Sequence, residues 1–145
     1  MNENLIKRIE DFLFDKDNSL FLGKPAEDKI ITDAEKKLNV KFDKDYIQFI
    51  KLFGGSFVGL PVYAFSNSEM LSGQTVVDLT NEFRESYEVD DRCPIIQSSY
   101  VISVEGNGDP IMINPSGEVL IYYHDDDLVE TIAPSFEKLI ENNLN

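Results

Sequence analysis

The stretch Pro110-Ile111-Met112-Ile113-Asn114-Pro115-Ser116-Gly117-Glu118-Val119-Leu120-Ile121-Tyr122-Tyr123 decides how the rest of the chain is read. Two short runs rich in β-branched, aliphatic and aromatic residues flank Pro115-Ser116-Gly117, and proline and glycine supply the backbone angles of a tight turn. The reading is a β-hairpin. Upstream, Tyr100-Val101-Ile102-Ser103-Val104 has the same character and leads into the turn sequence Glu105-Gly106-Asn107-Gly108-Asp109. Ile95-Ile96-Gln97 reads as a further β-rich segment. Downstream, Asp125-Asp126-Asp127 reads as an acidic turn. Ser135 to Leu144 reads as a closing helix with Phe136, Leu139 and Ile140 inward.

The periodicity is different before the hairpin region. Leu5 or Ile6, Ile9, Phe12 and Leu13 fall at helical spacing over Asn2–Phe14, and the polar Asp15-Lys16-Asp17-Asn18 ends that helix. Phe21 to Ala26 reads as a connecting loop. Thr32-x-x-Glu35 has the form of a capping box, with Ile31 as staple, so a short second helix is expected from Thr32 to Leu38-Asn39. Asp43 is read as the N-cap of a third helix over Lys44 to about Leu52, with Tyr46, Ile47, Ile50 and Phe53 on one face. Gly54-Gly55 stops it with a left-handed cap. Ser56 to Phe65 is β-type sequence, interrupted by Gly59 and Pro61. Gln74 to Arg84 returns to helical spacing through Val76, Leu79, Thr80 and Phe83. Helices grouped around hairpin-linked strands imply an α+β fold, one domain over residues 1–145, with a mostly antiparallel sheet.

With 145 residues, 42% hydrophobic and ten Phe and six Tyr, the chain can build one core and is not intrinsically disordered. No apolar run approaches the ~18 residues of a membrane span. The first residues lead into amphipathic sequence, so no secretory signal is expected. Cys93 is the single cysteine, which excludes an internal disulfide and a cysteine-based zinc cage. The expected location is the cytoplasm.

Charge is distributed unevenly. Residues 1–72 hold ten basic and twelve acidic residues, a net of −2. Residues 73–145 hold Arg84, Arg92 and Lys138 against fifteen acids, a net of −12. Such a field repels nucleic-acid phosphates and anionic lipid, and steers a basic partner. Acidity also serves solubility alone.

Catalytic equipment is sparse. The lone histidine, His124, stands at a strand end beside three aspartates, and its weighed roles are general base, metal ligand with Asp125 and Asp127, or structural support of the turn; the structural role is preferred. Cys93, between Arg92 and Pro94, reads as a small half-buried residue. The run Asp125–Asp127 with Glu130 lacks the ligand spacing of a calcium loop. Glu105–Asp109 lacks the following helix and the lysine of a phosphate cradle. No catalytic residue, metal site or cofactor is expected. Two segments, Tyr87-Glu88-Val89-Asp90-Asp91 and Tyr122-Tyr123-His124-Asp125-Asp126-Asp127, set tyrosine beside clustered acids in what read as exposed turns. Tyrosine offers rigid contact area and acids offer steering, a pairing suited to a basic protein. The same segments read equally as solvated loops with partly buried tyrosines.

Three blocks together resemble the SUKH superfamily, the Smi/Knr-like immunity proteins of bacterial polymorphic toxin systems. They are Ile31 to Leu38 through Phe42 to Ile50 and on into Phe53-Gly54-Gly55-Ser56-Phe57; Gly106-Asn107-Gly108-Asp109-Pro110 to Asn114; and Val119 to His124 with its acidic turn, followed by Ile132 to Ile140. They occur in family order over about residues 30–140. Where the family usually has Leu-Pro before its second helix, this chain has Phe42-Asp43. The resemblance implies a bent, mostly antiparallel sheet flanked by helices, and a non-enzymatic protein that binds and inhibits a toxin domain, often a nuclease. Other members of the family are regulatory or scaffolding proteins.

The expectation is therefore an immunity protein occluding a basic, nuclease-like toxin domain, without direct contact to nucleic acid or membrane. Tyr87, Asp90, Asp91, Tyr123, Asp125, Asp126, Asp127 and Glu130 are its expected contacts. The alternatives are a regulatory or scaffolding adaptor for an endogenous protein, and an enzyme centred on His124.

Overall fold

A computed structural model describes residues 1–144. The hairpin forms where its turn chemistry puts it. Strands β4 (Pro110–Ile113) and β5 (Val119–Tyr123) pair antiparallel, with Met112 opposite Leu120. The Asn114 side-chain oxygen accepts the backbone N–H groups of Ser116 at 3.0 Å and Glu118 at 2.9 Å, and Gly117 takes the positive φ the turn requires. Strand β3 (Tyr100–Val104) adds on one side of β4, and β6 (Leu128–Ala133) adds on the other side of β5, giving an antiparallel order β3-β4-β5-β6. The two-residue strands β1 (Ser56–Phe57) and β2 (Pro61–Val62) form a separate small sheet.

Both faces of the larger sheet are covered over β3, β4 and β5, which explains why those strands read as continuous apolar runs rather than as an alternation. Tyr100, Ile102, Ile111, Ile113, Val119 and Ile121 join the main core with residues of α1 (Glu3–Leu13), α2 (Asp28–Leu38), α3 (Lys44–Phe53) and α5 (Phe136–Asn143). Val101, Met112, Leu120 and Tyr122 point the other way into a second core. Leu79 and Tyr87 of α4 (Val76–Val89), together with Cys93 and Ile96, close it. The period of two along each strand thus divides its apolar residues between two layers.

The helix starts follow side-chain caps. Asp43 accepts the backbone N–H groups of Asp45 and Tyr46 at 3.0 and 3.3 Å, as expected. Thr75 and Asp78 exchange hydrogen bonds in a capping box at the start of α4. The end of α3 differs from expectation in detail. Gly54 has φ +70° and ψ −158°, which is not the left-handed helical cap, and a Cβ there would lie 1.9 Å from the Lys24 carbonyl oxygen. Its glycine is demanded by backbone approach as well as by φ.

Four other readings are corrected. Helix α2 begins at Asp28, a turn before Thr32, so Thr32 lies inside it and its hydroxyl donates to the Asp28 carbonyl at 3.0 Å. Glu35 accepts the Phe42 backbone N–H at 2.8 Å instead of reaching back to a cap. Lys16–Phe21, read as a polar stretch and then loop, is a 3-10 segment. Pro94–Ser98 is likewise 3-10 rather than β, with proline entering its first turn. Finally α4 runs to Val89, because Tyr87 continues the apolar row of Val76, Thr80 and Phe83.

Candidate functional site

The two acidic segments meet at one end of the sheet. Tyr87 of α4 packs edge-on against Tyr122 of β5, ring centroids 5.0 Å apart, and Arg92 donates to the His124 carbonyl at 3.4 Å. A groove of about 360 Å³ lies there. Asp90, Arg92, Asn107 and His124 are among its walls, with Glu82 and Phe83 from α4.

Each expected contact residue has a definite place. Tyr87 is only 6% exposed and belongs to the second core, so its ring supports the groove from beneath rather than presenting a contact. Burial pushes its phenol up to about 12, with the neighbouring Cys93 and Asp109 adding to the rise and Arg92 opposing it. Asp90, Asp91, Asp125, Asp126, Asp127 and Glu130 are exposed. Asp91 also has a backbone duty. At the end of α4, the Arg92 N–H donates to the Tyr87 carbonyl at 2.8 Å and the Asp91 N–H to the Glu88 carbonyl at 3.2 Å, with Asp91 at φ 54°. That is the double closure of a Schellman motif, with aspartate where glycine is usual. Asp127 has φ 51° and accepts the Tyr122 hydroxyl at 2.5 Å. Burial and this carboxylate raise the Tyr122 phenol to about 12.

Glu130 and Tyr123 do not belong to the same side as the groove. Cross-strand pairing sets Glu130 opposite Ile121 and Leu128 opposite Tyr123, so all four lie on the main-core face of the sheet. Tyr123 is half-buried there. Burial first, then the charges of Glu130 and Glu105, hold its phenol above the usual range.

His124 is engaged by two carboxylates. Its backbone N–H donates to Asp109 at 3.0 Å, its Nδ1 contacts the same oxygen, and its Nε2 lies 3.3 Å from Asp125. Burial raises the Asp109 carboxyl, but the His124 backbone and ring and the nearby Asn107 amide outweigh it and hold the group below the ordinary range. The Cys93 thiol is buried and raised to about 11, chiefly by that burial, which leaves little nucleophilic thiolate. No group of three or more His, Cys, Asp or Glu side chains among the described residues is placed to hold a metal ion.

The basic residues of the acidic half matter to its surface field. Arg84 turns inward, donating to the carbonyls of Leu38, Ile96 and Ser99 at 2.8, 3.1 and 2.8 Å. Arg92 lies half-buried against the His124 carbonyl. Two of the three cations available to residues 73–145 are thus drawn onto backbone carbonyls, and the exposed carboxylates keep most of their field.

Leu128 and Val129 were not among the expected contacts, yet they are 53% and 39% exposed at the start of β6. The β-branched residues Val129, Thr131 and Ile132 were the available sign of that strand. No helix among the described residues is long and apolar enough to cross a membrane.

A search of curated proteins finds no match for the chain. The family described as SUKH_5, SMI1-KNR4 cell-wall, matches residues 2–145. Its mixed α+β architecture agrees with the fold described above, and this chain belongs to the SUKH superfamily.

Proposed function

We propose that the protein is an immunity protein, which binds a basic, nuclease-type toxin domain and occludes it without catalysis. The carrying observation is the exposed carboxylate surface: Asp90 lines the groove with His124, Asp91 follows it at the end of α4, and Asp125 to Asp127 follow His124 in the β5–β6 turn, all exposed and all in the half of the chain with net charge −12. A nuclease must concentrate positive charge where it grips phosphates, so an acidic surface of this kind complements its cleft and accelerates encounter. Membership of the SUKH superfamily supports the reading. In the bound state this chain would touch the toxin and not its nucleic acid.

The test is co-expression. The C-terminal domain of the toxin-like protein encoded nearest this gene is expressed in a sensitive host, with and without this chain. Rescue accompanied by a stoichiometric complex is the expected outcome. Persistent toxicity in the presence of soluble, folded protein would overturn the assignment to that toxin.

A second reading draws on the printed family description, whose words name the cell wall. On that reading the same surface serves a regulatory or scaffolding adaptor for an endogenous protein. Recovery of one stoichiometric endogenous partner, in cells without any such toxin, would favour it.

A further inference from the structure

The two edges of the larger sheet are treated differently. At β3 the edge is closed: the Tyr63 backbone N–H donates to the Ile102 carbonyl at 2.8 Å, and the Val101 N–H donates to the Thr80 hydroxyl at 2.8 Å. At β6 it is open. Residues 128–133 pair with β5, and among the described residues their backbone makes no hydrogen bond to any other element. A row of unpaired N–H and C=O groups is a template for a further strand.

Usual protections are missing from its first four residues. Leu128-Val129-Glu130-Thr131 contains no proline, no lysine and no register shift; the one irregularity in the β5–β6 ladder lies at the Val119 end, opposite Ala133. Two of the four are exposed aliphatic residues. The single charge is negative.

We propose that the free edge of β6 takes up an extended segment of a partner protein in which basic and apolar residues alternate. This rests on the acidic-surface reading above and specifies how that surface engages. Pleating gives the added strand two faces. On one, Leu128 and Glu130 lie beside Tyr123, where a lysine or arginine meets the carboxylate. On the other, Val129 and Thr131 lie beside Tyr122, where an aliphatic side chain covers Val129. Asp125 and Asp126 at the adjacent turn draw a basic segment towards the edge. A second copy of this chain is the poorer occupant, because it brings another net −14 and a second Glu130 onto the same short edge.

The probe is a blocked hexapeptide of three Lys-Val repeats, with a Lys-Lys-Lys-Val-Val-Val peptide as control, added to isotope-labelled full-length protein. Amide hydrogen exchange is read by NMR at low and high salt. Alternate amides within residues 128–133 should gain protection with the alternating peptide alone. Val129→Lys, which replaces the aliphatic surface that the valines cover and adds a positive charge to the edge a basic segment approaches, should weaken binding by about tenfold with an unchanged unfolding midpoint. Binding of both peptides without protection of β6 would overturn strand addition and leave the acidic surface standing. Absence of binding, or wild-type binding by Val129→Lys, would also overturn it. So would β6 amides already protected in a concentration-dependent dimer, which would make a second copy the occupant. The co-expression experiment decides the immunity reading separately.

Discussion

Asp109, 2% exposed, receives the backbone N–H of His124 at 3.0 Å while the His124 ring rests on the same oxygen. One carboxylate thereby ties the β3–β4 turn to the end of β5, at the lip of the acidic groove. Asp109→Asn keeps the shape but replaces an anionic acceptor by a weaker neutral one, and should cost about 2 kcal/mol in chemical denaturation. The pH dependence has a definite sign. The folded-state value of Asp109 lies below its ordinary value, so its contribution is fully present above about pH 4 and is lost as pH falls through the folded value. Unfolding midpoints recorded down to about pH 2 should fall more gently for Asp109→Asn than for the wild type. An identical acid limb in both would remove Asp109 from that role.

Arg84 makes a complementary prediction on the far side of α4. Its guanidinium satisfies carbonyls from the end of α2, from the 3-10 segment and from the residue before β3, and so joins three parts of the chain. Arg84→Ala should destabilise the protein by about 3 kcal/mol, since orphaned carbonyls are left in half-buried positions. Arg84→Lys should recover little, because an ammonium cannot span the three acceptors with the geometry of a planar fork. Equilibrium unfolding of the two variants checks this.

Local chemistry was legible in the sequence wherever it acts through neighbours. Asp43 caps its helix, Pro115-Ser116-Gly117 turns its hairpin, and Ser135 opens α5 by accepting the Lys138 N–H at 3.1 Å. Readings failed where a distant partner decides. Glu35 looks like a capping-box residue in sequence, yet the chain brings Phe42 back to it. Ile95 and Ile96 have β propensity but lie in a 3-10 segment whose Ile96 carbonyl Arg84 holds. The strand β6 exists because β5 offers it a ladder, and its exposed faces deny it the apolar alternation of a half-buried strand. The acidic contacts were legible as charge. That Asp91 and Asp127 also occupy left-handed backbone positions was not, because an aspartate serves either purpose.

That double duty can be separated experimentally at Asp91. Glycine meets no Cβ penalty at a left-handed Schellman position, so Asp91→Gly should stabilise the protein by about 1 kcal/mol and raise the thermal midpoint by about 3 °C. Asp91→Asn tolerates the same backbone while losing the charge. If Asp91 faces the partner, both variants should associate more slowly although neither is less stable. Faster unfolding of Asp91→Gly would count against the backbone account.

The β5–β6 turn carries the strongest test of steering, provided Asp127 is left alone, because removing its carboxylate frees the buried Tyr122 hydroxyl. Asp125 and Asp126 are both exposed. Changing both to lysine alters the surface charge by four units and leaves the sheet and its cores untouched. Association with a basic toxin domain should then slow by about tenfold at low salt, with a flatter dependence on ionic strength. Dissociation should change far less, since steering acts on encounter more than on the docked complex. Stopped-flow association at two ionic strengths, with thermal midpoints as a control for folding, measures all three. Unchanged association at low salt would place the turn outside the interface and shift the weight of recognition to Asp90 and to the edge of β6.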